Sequence, residues 1–430
     1  MSTKTETIQL SQVIFRQDLY PRIEHDPALV QRYAANIEQL PPIEVNQHYE
    51  LIDGWHRWTA HKKVESETIE VQITETKSEA ELLALAIRRN ASHGKQLEEK
   101  DKESMAHRLH RPSPSRADGF SDKEIAEILS VSVRMVGEYL REDKKREKKE
   151  RNEKIRAMWL ACHTQEEIAE AVGIHAKDKS LQVSSNLEEL PNYCKLAATY
   201  QDADWQPPIY DIWNFADNAN ETKHFGNTHI GIVDNLLYLF TEPFDIVVDP
   251  FAVGGSTIDI CKKRLRRFYV ADRKPIPERE ADIRKEEVSI NNLVGPSRWK
   301  DVSLVYLDPP YWRQAEGQYS DAAEDLGNMP LEQFTETMVS IIAGYAKKMR
   351  TGSHIAMIIQ PTQWKADDRQ TVYHDRDIDF ALRRNKKLRL DRVISCPYST
   401  QQYTPQMVEA AKADKMNLVL TRTMLVWEVQ

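Results

Sequence analysis

Apolar positions recur at two spacings along this chain, and the spacing changes with position. Residues 1 to about 95 mix short apolar runs with helical patterns, as a small α+β domain would. From about 96 to 182 nearly every stretch reads as a short charged helix. From about 183 to 222 the pattern breaks down, with Pro191, Pro207 and Pro208 as punctuation. From about 223 to 430 buried-strand runs alternate with helical periods, which predicts a wound α/β sheet. The clearest predicted strands are 245–248, 267–271, 302–307 and 355–359, and the run 417–429 predicts a last strand that closes the sheet. The expected architecture is therefore multidomain.

Composition narrows the class. At 430 residues the chain exceeds one ordinary core, and two to four domains are expected. A net charge of −8 is no argument for nucleic-acid binding overall and leaves room for a local basic stretch on an acidic body. Cys162, Cys194, Cys261 and Cys396 are too scattered for a zinc cluster and too few for a secreted scaffold, so no metal is expected. The N-terminus lacks an apolar signal core, and no window approaches 18 apolar residues. A cytoplasmic protein without a membrane span is expected.

Candidate chemistry concentrates in the last third. The run FDIVVDPFAVGGST, 244–257, reads as a buried strand breaking into a loop of small residues before a helix. Asp249, Phe251, Ala252, Gly254, Gly255, Ser256 and Thr257 form that loop, where glycines let a ligand approach the backbone at a helix N-terminus. The following strand ends on Asp272, the position from which an acid bonds a ribose hydroxyl in wound sheets. A second run, VSLVYLDPPYW, ends in Asp308-Pro309-Pro310-Tyr311. The prolines stiffen it and remove donors, leaving a carboxylate, a free carbonyl and a ring. Asp308 and the Pro309 carbonyl can accept the two hydrogens of an exocyclic amine while Tyr311 stacks on the base. The competing reading is a plain turn.

Here the chain resembles the amino-group DNA methyltransferases. DPFAVGGST is similar to their cofactor loop, LDPPYW to their catalytic motif, and GNTHIGIVDNLLYLF, 226–240, to the helix leading into the cofactor strand. The likeness spans roughly 205–430. Val253 departs from it, standing where a glycine or small residue is usual. The resemblance implies S-adenosylmethionine as cofactor, a Rossmann-like catalytic domain, base flipping, and adenine N6 ahead of cytosine N4. The segment 312–328 is expected to close over the base. Another candidate insert is 361–404, with Trp364, Arg369, His374, Arg376 and Tyr403; a solvated loop is its alternative.

In the N-terminal half, residues 20–64 predict a loop, a helix, two strands and a second helix that begins after Asp53-Gly54. Gly54 at the break, with His56 and Arg57 in the first turn, makes an anion site; the alternative pairs Arg57 with a neighbouring acid. The pattern resembles the N-terminal domain of the ParB/sulfiredoxin superfamily, with Tyr20-Pro21-Arg22 similar to its arginine loop and 88–102, with His93 and Gly94, to its linking stretch. That likeness brings in CTP as a ligand and leaves binding or hydrolysis open. Trp55 stands where sulfiredoxins carry cysteine, which excludes their chemistry.

Residues 120–142 have helix-turn-helix spacing. Ser121 and Ser132 are N-caps, Ile125, Ala126, Leu129, Val131, Val136 and Leu140 point inward, and Arg134 lies near a groove. A second copy, 164–174, is followed by a poorly formed recognition helix. Between them 141–156 carries nine basic and five acidic residues, read as a solvated connector ahead of a phosphate-contacting rod. The expected partner is double-stranded DNA, with a homodimer left open. Two other functions stay open: a nucleotide-gated, ParB-like DNA-binding protein whose methyltransferase fold only senses ligand, and methylation of RNA or protein.

Overall fold

The computed structural model describes residues 4–20, 26–92, 97–173, 208–215, 228–279, 282–314, 325–368, 370–397 and 403–430. Arg22, the 93–94 pair and the recognition helix expected after 174 lie outside them. The chain divides into two compact units, Met1–Glu150 and Arg151–Gln430. The division falls within the charged helix Arg141–Leu160. Among the described residues no helix is long and apolar enough to cross a membrane.

The first unit holds strands β1 (Lys4–Gln9), β2 (Ile43–Val45), β3 (Leu51–Asp53) and β4 (Thr68–Ile73), ordered β1-β4-β2-β3. Ile43, Val45, Leu51, Ile69, Val71 and Trp58 close its core. Beyond it, helices Glu99–His110, Asp122–Leu129 and Val133–Tyr139 pack around Met105, Leu109, Ile125, Leu129, Val136 and Leu140.

The second unit is a seven-stranded sheet. Its strands are β5 (Ile246–Asp249), β6 (Arg267–Asp272), β7 (Arg284–Lys285), β8 (Val302–Leu307), β9 (His354–Ile359), β12 (Leu388–Pro397) and β13 (Thr421–Val429), ordered β12-β13-β9-β8-β5-β6-β7. A two-stranded ribbon, β10 (Thr362–Gln363) with β11 (Thr371–Val372), stands apart. Strands β9, β8, β5, β6 and β7 run parallel, and β13 is antiparallel to both β9 and β12. Alternation sends successive residues to opposite faces. Leu304, Tyr306, Ala356 and Ile358 meet the Ile230–Phe240 and Ser256–Lys263 helices. Val305, Leu307, Ile355 and Met357 meet Phe334, Met338 and Ile341 of the Leu331–Lys348 helix. This two-sided cover explains the continuous apolar runs. Successive strands leave β5 in opposite directions, β6 on one side and β8 on the other. The β5–β8 gap is therefore a topological switch point, where the carboxyl ends of a wound sheet open a crevice.

The expected strands 245–248, 267–271, 302–307 and 355–359 agree with β5, β6, β8 and β9 to within a residue or two at each end. Regular structure fills much of the expected insert 361–404: it contains the ribbon, the His374–Leu382 helix and all of β12. β12 is the edge strand, its residues 389–393 exposed and Ile394 and Cys396 buried; its alternation Leu388-Arg389-Leu390-Asp391 is cut short by the register shift between Leu390 and Arg392.

Candidate active site

Both segments singled out by sequence emerge at the switch point, from β5 and β8. After β5 the chain turns sharply. Asp249 is buried; its Oδ1 accepts the Phe251 amide hydrogen at 3.0 Å and its Oδ2 the Thr257 hydroxyl at 2.6 Å. Burial pushes its carboxyl up to about 7, with Asp308 and Asp272 adding like-charge repulsion against the two hydrogen bonds. Asp249 and Thr257 thus staple the loop shut from inside. Ala252 donates its amide to Ala271 of β6 at 3.0 Å, tying the loop to the neighbouring strand. Gly255, at φ +77°, caps the Ser256–Lys263 helix, and a Cβ there would meet Ile258 at 3.1 Å.

Val253 has φ +41°, a left-handed conformation that costs a β-branched residue about 1–3 kcal/mol. Its amide donates to Asp272 Oδ2 at 3.1 Å, and the Lys274 amide donates to Oδ1 at 2.8 Å. A carboxylate has lone pairs beyond these two, so Asp272 shapes the loop and retains capacity for a ligand.

A cavity of about 540 Å³ opens here, lined by Phe251, Val253, Asp272, Val288, Asp308 and Pro310 among others. Small-molecule sites fall in this size class. Of the sequence candidates it brings together Phe251, Asp272, Asp308 and Pro310. Ala252, Gly254, Gly255, Ser256 and Thr257 are not among its described lining residues; they build the loop behind it. Arg273, which also lines the cavity, pairs with Asp325 at 2.9 Å.

Asp308 follows the fully buried strand β8. Its Oδ2 accepts the hydroxyls of Thr228 and, at 3.2 Å, Tyr306; its Oδ1 accepts the Tyr311 hydroxyl at 3.1 Å. Thr228 in turn accepts from Arg422 Nη1 at 3.0 Å. Burial raises the Asp308 carboxyl, while Arg422 and the three hydroxyls lower it. Thr228, Tyr306 and Arg422 were not foreseen. Tyr306 reads as one more apolar strand position; Thr228 and Arg422 fall in the 226–240 and 417–429 segments, but nothing in the sequence singles out these two side chains within them. The Tyr311 ring packs against the core while its hydroxyl reaches Asp308, a contact that stacking alone did not anticipate.

Other expected site residues separate from this cavity. His374 is fully buried, bonded to Thr362 at 3.0 Å and edge-on to Trp312 and Phe334. Tyr403 donates to the Val419 carbonyl at 2.5 Å. Both hold structure, and His374, buried at the start of the His374–Leu382 helix, does not lie in a solvated loop. Arg376 stacks on Tyr373, and Trp364 is partly buried at φ +55°. Arg369 and most of the segment expected to cover the base, 315–324, lie outside the described residues.

In the first unit, Gly54 at φ +99° starts the Trp55–Lys63 helix, and a Cβ there would meet Ile43 at 2.8 Å and Arg57 at 2.9 Å. The Arg57 guanidinium bonds Asp53 at 2.8 Å and the carbonyls of Pro42 and Pro41 at 2.6 and 3.1 Å. This is the pairing with a neighbouring acid that the alternative reading expects: the Pro41–Pro42 loop and Asp53 offer acceptors within the side chain's reach. His56 lies edge-on to Trp55. Helices Asp122–Leu129 and Val133–Tyr139 are joined through Ser130, left-handed at φ 54°, and Ser132, whose hydroxyl accepts the Met135 amide at 3.2 Å. Arg134, Val133 and Met135 are exposed on that second helix. The Gln165–Ala171 helix has a Thr164–Glu167 capping box.

No protein-family model matches the chain, and no curated protein matches it. Solved structures overlay on parts of it. A pNOB8-like ParB-N domain shares 12% identity over 32% of this chain and 69% of its own, with a TM-score of 0.27. TrmN from Thermus thermophilus shares 14% identity over 47% of this chain and 48% of its own, at 0.29. A protein described as a putative rRNA methylase from Clostridium thermocellum shares 12% over 47% and 97%, at 0.29. Overlaps of this size decide nothing about activity, which rests on the topology and geometry above.

Proposed function

We propose that the second unit transfers a methyl group from S-adenosylmethionine to the exocyclic amine of a DNA base, adenine N6 ahead of cytosine N4, and that the first half of the chain delivers it to DNA. One observation carries the reading: Asp272 and Asp308, from strands on opposite sides of β5, line a single cavity at the switch point. When bound, the cofactor supplies an electrophilic methyl on a sulfonium. Asp272 is placed to accept a ribose hydroxyl and Phe251 to form an apolar wall. Asp308 and the Pro309 carbonyl accept the amine hydrogens, which favours the pyramidal nitrogen that attacks. The site then acts by positioning and by stabilising charge that builds on nitrogen.

Mass spectrometry of nucleosides from host DNA, after expression of this chain, tests the reading. N6-methyladenine is expected. Methylation confined to cytosine N4 reverses the choice of base, and no methylated base removes DNA as substrate. Within this scheme Tyr311→Phe keeps the ring but loses the bond to Asp308, and Tyr311→Ala loses both. We expect turnover to fall about tenfold for phenylalanine and about a hundredfold or more for alanine. Equal losses would mean that the ring does not hold the base.

Delivery is assigned to the first half of a four-part organisation 1–95, 96–182, 183–222 and 223–430, and within it to the Ser132-capped helix, whose first turn presents Arg134. At the N-terminal box, Gly54, His56, Arg57 and Arg22 are proposed to take a nucleotide such as CTP, with Arg57 exchanging its present partners for phosphate. Calorimetry with CTP checks this: binding by the full chain that is lost in Arg57→Ala is expected. No heat with the unsubstituted protein reduces the domain to a DNA or subunit contact.

A further inference from the structure

The methyl-transfer scheme uses Asp308 but gives no role to the two side chains stacked behind it. Arg422 and Thr228 stand 194 residues apart in sequence, yet Arg422 Nη1 donates to Thr228 Oγ1 at 3.0 Å, and the Thr228 hydroxyl donates its single proton to Asp308 Oδ2. Arg422 is 7% exposed and Thr228 5%. Tyr306, 3% exposed, donates to the same oxygen. Asp308 Oδ2 therefore has two buried donors, while Oδ1 meets only the Tyr311 hydroxyl among the hydrogen bonds of the described residues. An aspartate has two side-chain torsions, and donors converging on one oxygen fix both.

We propose that Arg422 is a positioning residue for Asp308: acting through Thr228, it anchors Oδ2 inward and keeps the carboxylate an acceptor, so that Oδ1 is the oxygen left to receive the amine. This rests on the reading of Asp308 given above. The physical need is plain. A carboxyl among buried side chains drifts toward its neutral form, and a protonated carboxyl offers a donor where the amine needs an acceptor. The groups facing Asp308 are Tyr306 and Tyr311 on its own segment, Asp249 at the end of β5, Cys396 on β12 and Arg422 on β13. Asp249 repels a second negative charge. Tyr306 and the Cys396 thiol are neutral at physiological pH, since burial raises Tyr306 and pushes Cys396 up to about 12. Of these groups only Arg422 is cationic. An arginine also suits the place, because its planar fork keeps its charge when buried, as lysine does not.

The test titrates Asp308 itself in the full chain. Aspartate labelled with carbon-13 at the side-chain carboxyl is followed by NMR against pH, and the Asp308 signal is assigned by its loss in Asp308→Asn. In Arg422→Met the Asp308 midpoint is expected to rise by about one pH unit or more, with Arg422→Lys recovering part of the shift. In the same variant kcat at neutral pH falls about tenfold or more while KM for S-adenosylmethionine changes little, and the acid limb of the kcat profile moves up with the midpoint. Should Arg422→Met fail to fold, Thr228→Val carries the test. It removes the bridging hydroxyl, keeps both charges, and is expected to raise the midpoint by a smaller amount. A midpoint in the folded variants equal to that of the unsubstituted protein overturns the proposal. The methyl-transfer reading fails separately: unsubstituted protein that moves no methyl to DNA sinks that reading, even where the titration shifts as expected.

Discussion

Asp308→Ala is expected to lower kcat for methyl transfer by about a thousandfold or more, equivalent to about 4 kcal/mol of transition-state stabilisation. An exocyclic amine is a poor nucleophile because its lone pair is delocalised into the ring. An acceptor for its hydrogens matters most as the nitrogen pyramidalises, so the loss falls on the transition state and not on binding. Calorimetry should accordingly find S-adenosylmethionine affinity changed by less than about threefold. Thr228, Tyr306 and Tyr311 converge on this one carboxylate, so alanine also leaves three hydroxyls without their acceptor. Asp308→Asn retains one oxygen for them and should fold better, yet it places a donor beside the amine and should be nearly as inactive. Robust turnover by either variant would remove Asp308 from the chemistry.

Asp272→Ala should behave in the opposite manner. Its carboxylate fixes Val253 and Lys274 through their amides and lies on the cavity wall. A charge-assisted hydrogen bond to a ribose hydroxyl contributes about 2 kcal/mol, so S-adenosylmethionine should bind about thirtyfold more weakly. At saturating cofactor most of kcat should return, since no reacting atom is touched. Unchanged affinity by calorimetry would place the cofactor elsewhere.

The parts of this molecule that sequence makes legible are those where burial is two-sided or a cap is local. β5, β6, β8 and β9 announce themselves as apolar runs because helices cover both faces. Ser132 reads as a cap because its bond to Met135 is three residues long. The Asp249 and Asp308 segments stand out because a strand must stop where a loop of small residues or prolines begins. The remainder depends on contacts between distant segments. β12 is a sheet edge whose alternation runs only from Leu388 to Asp391 before a register shift interrupts it, so the period is too short to read as a strand. Thr228 and Arg422 are ordinary residues until β13 is placed beside the helix that follows Thr228. Arg57 shows a different limit. Its position in the first helical turn is readable, but the Pro41 and Pro42 carbonyls that hold it come from another segment. Val253 is readable as an oddity, whereas its left-handed backbone is not.

The place of β13 also bears on how the molecule comes into being. It fills the slot between β9 and β12, yet the chain makes both of those strands first. A growing polypeptide leaving the ribosome thus carries β9 with a bare edge until the last of the three emerges, and bare edges invite pairing with other chains. Long-range insertion of this kind is also slow, because loop closure comes before the contacts that reward it. Arg422 travels on that late strand, so Asp308 meets its cation only when the sheet is whole.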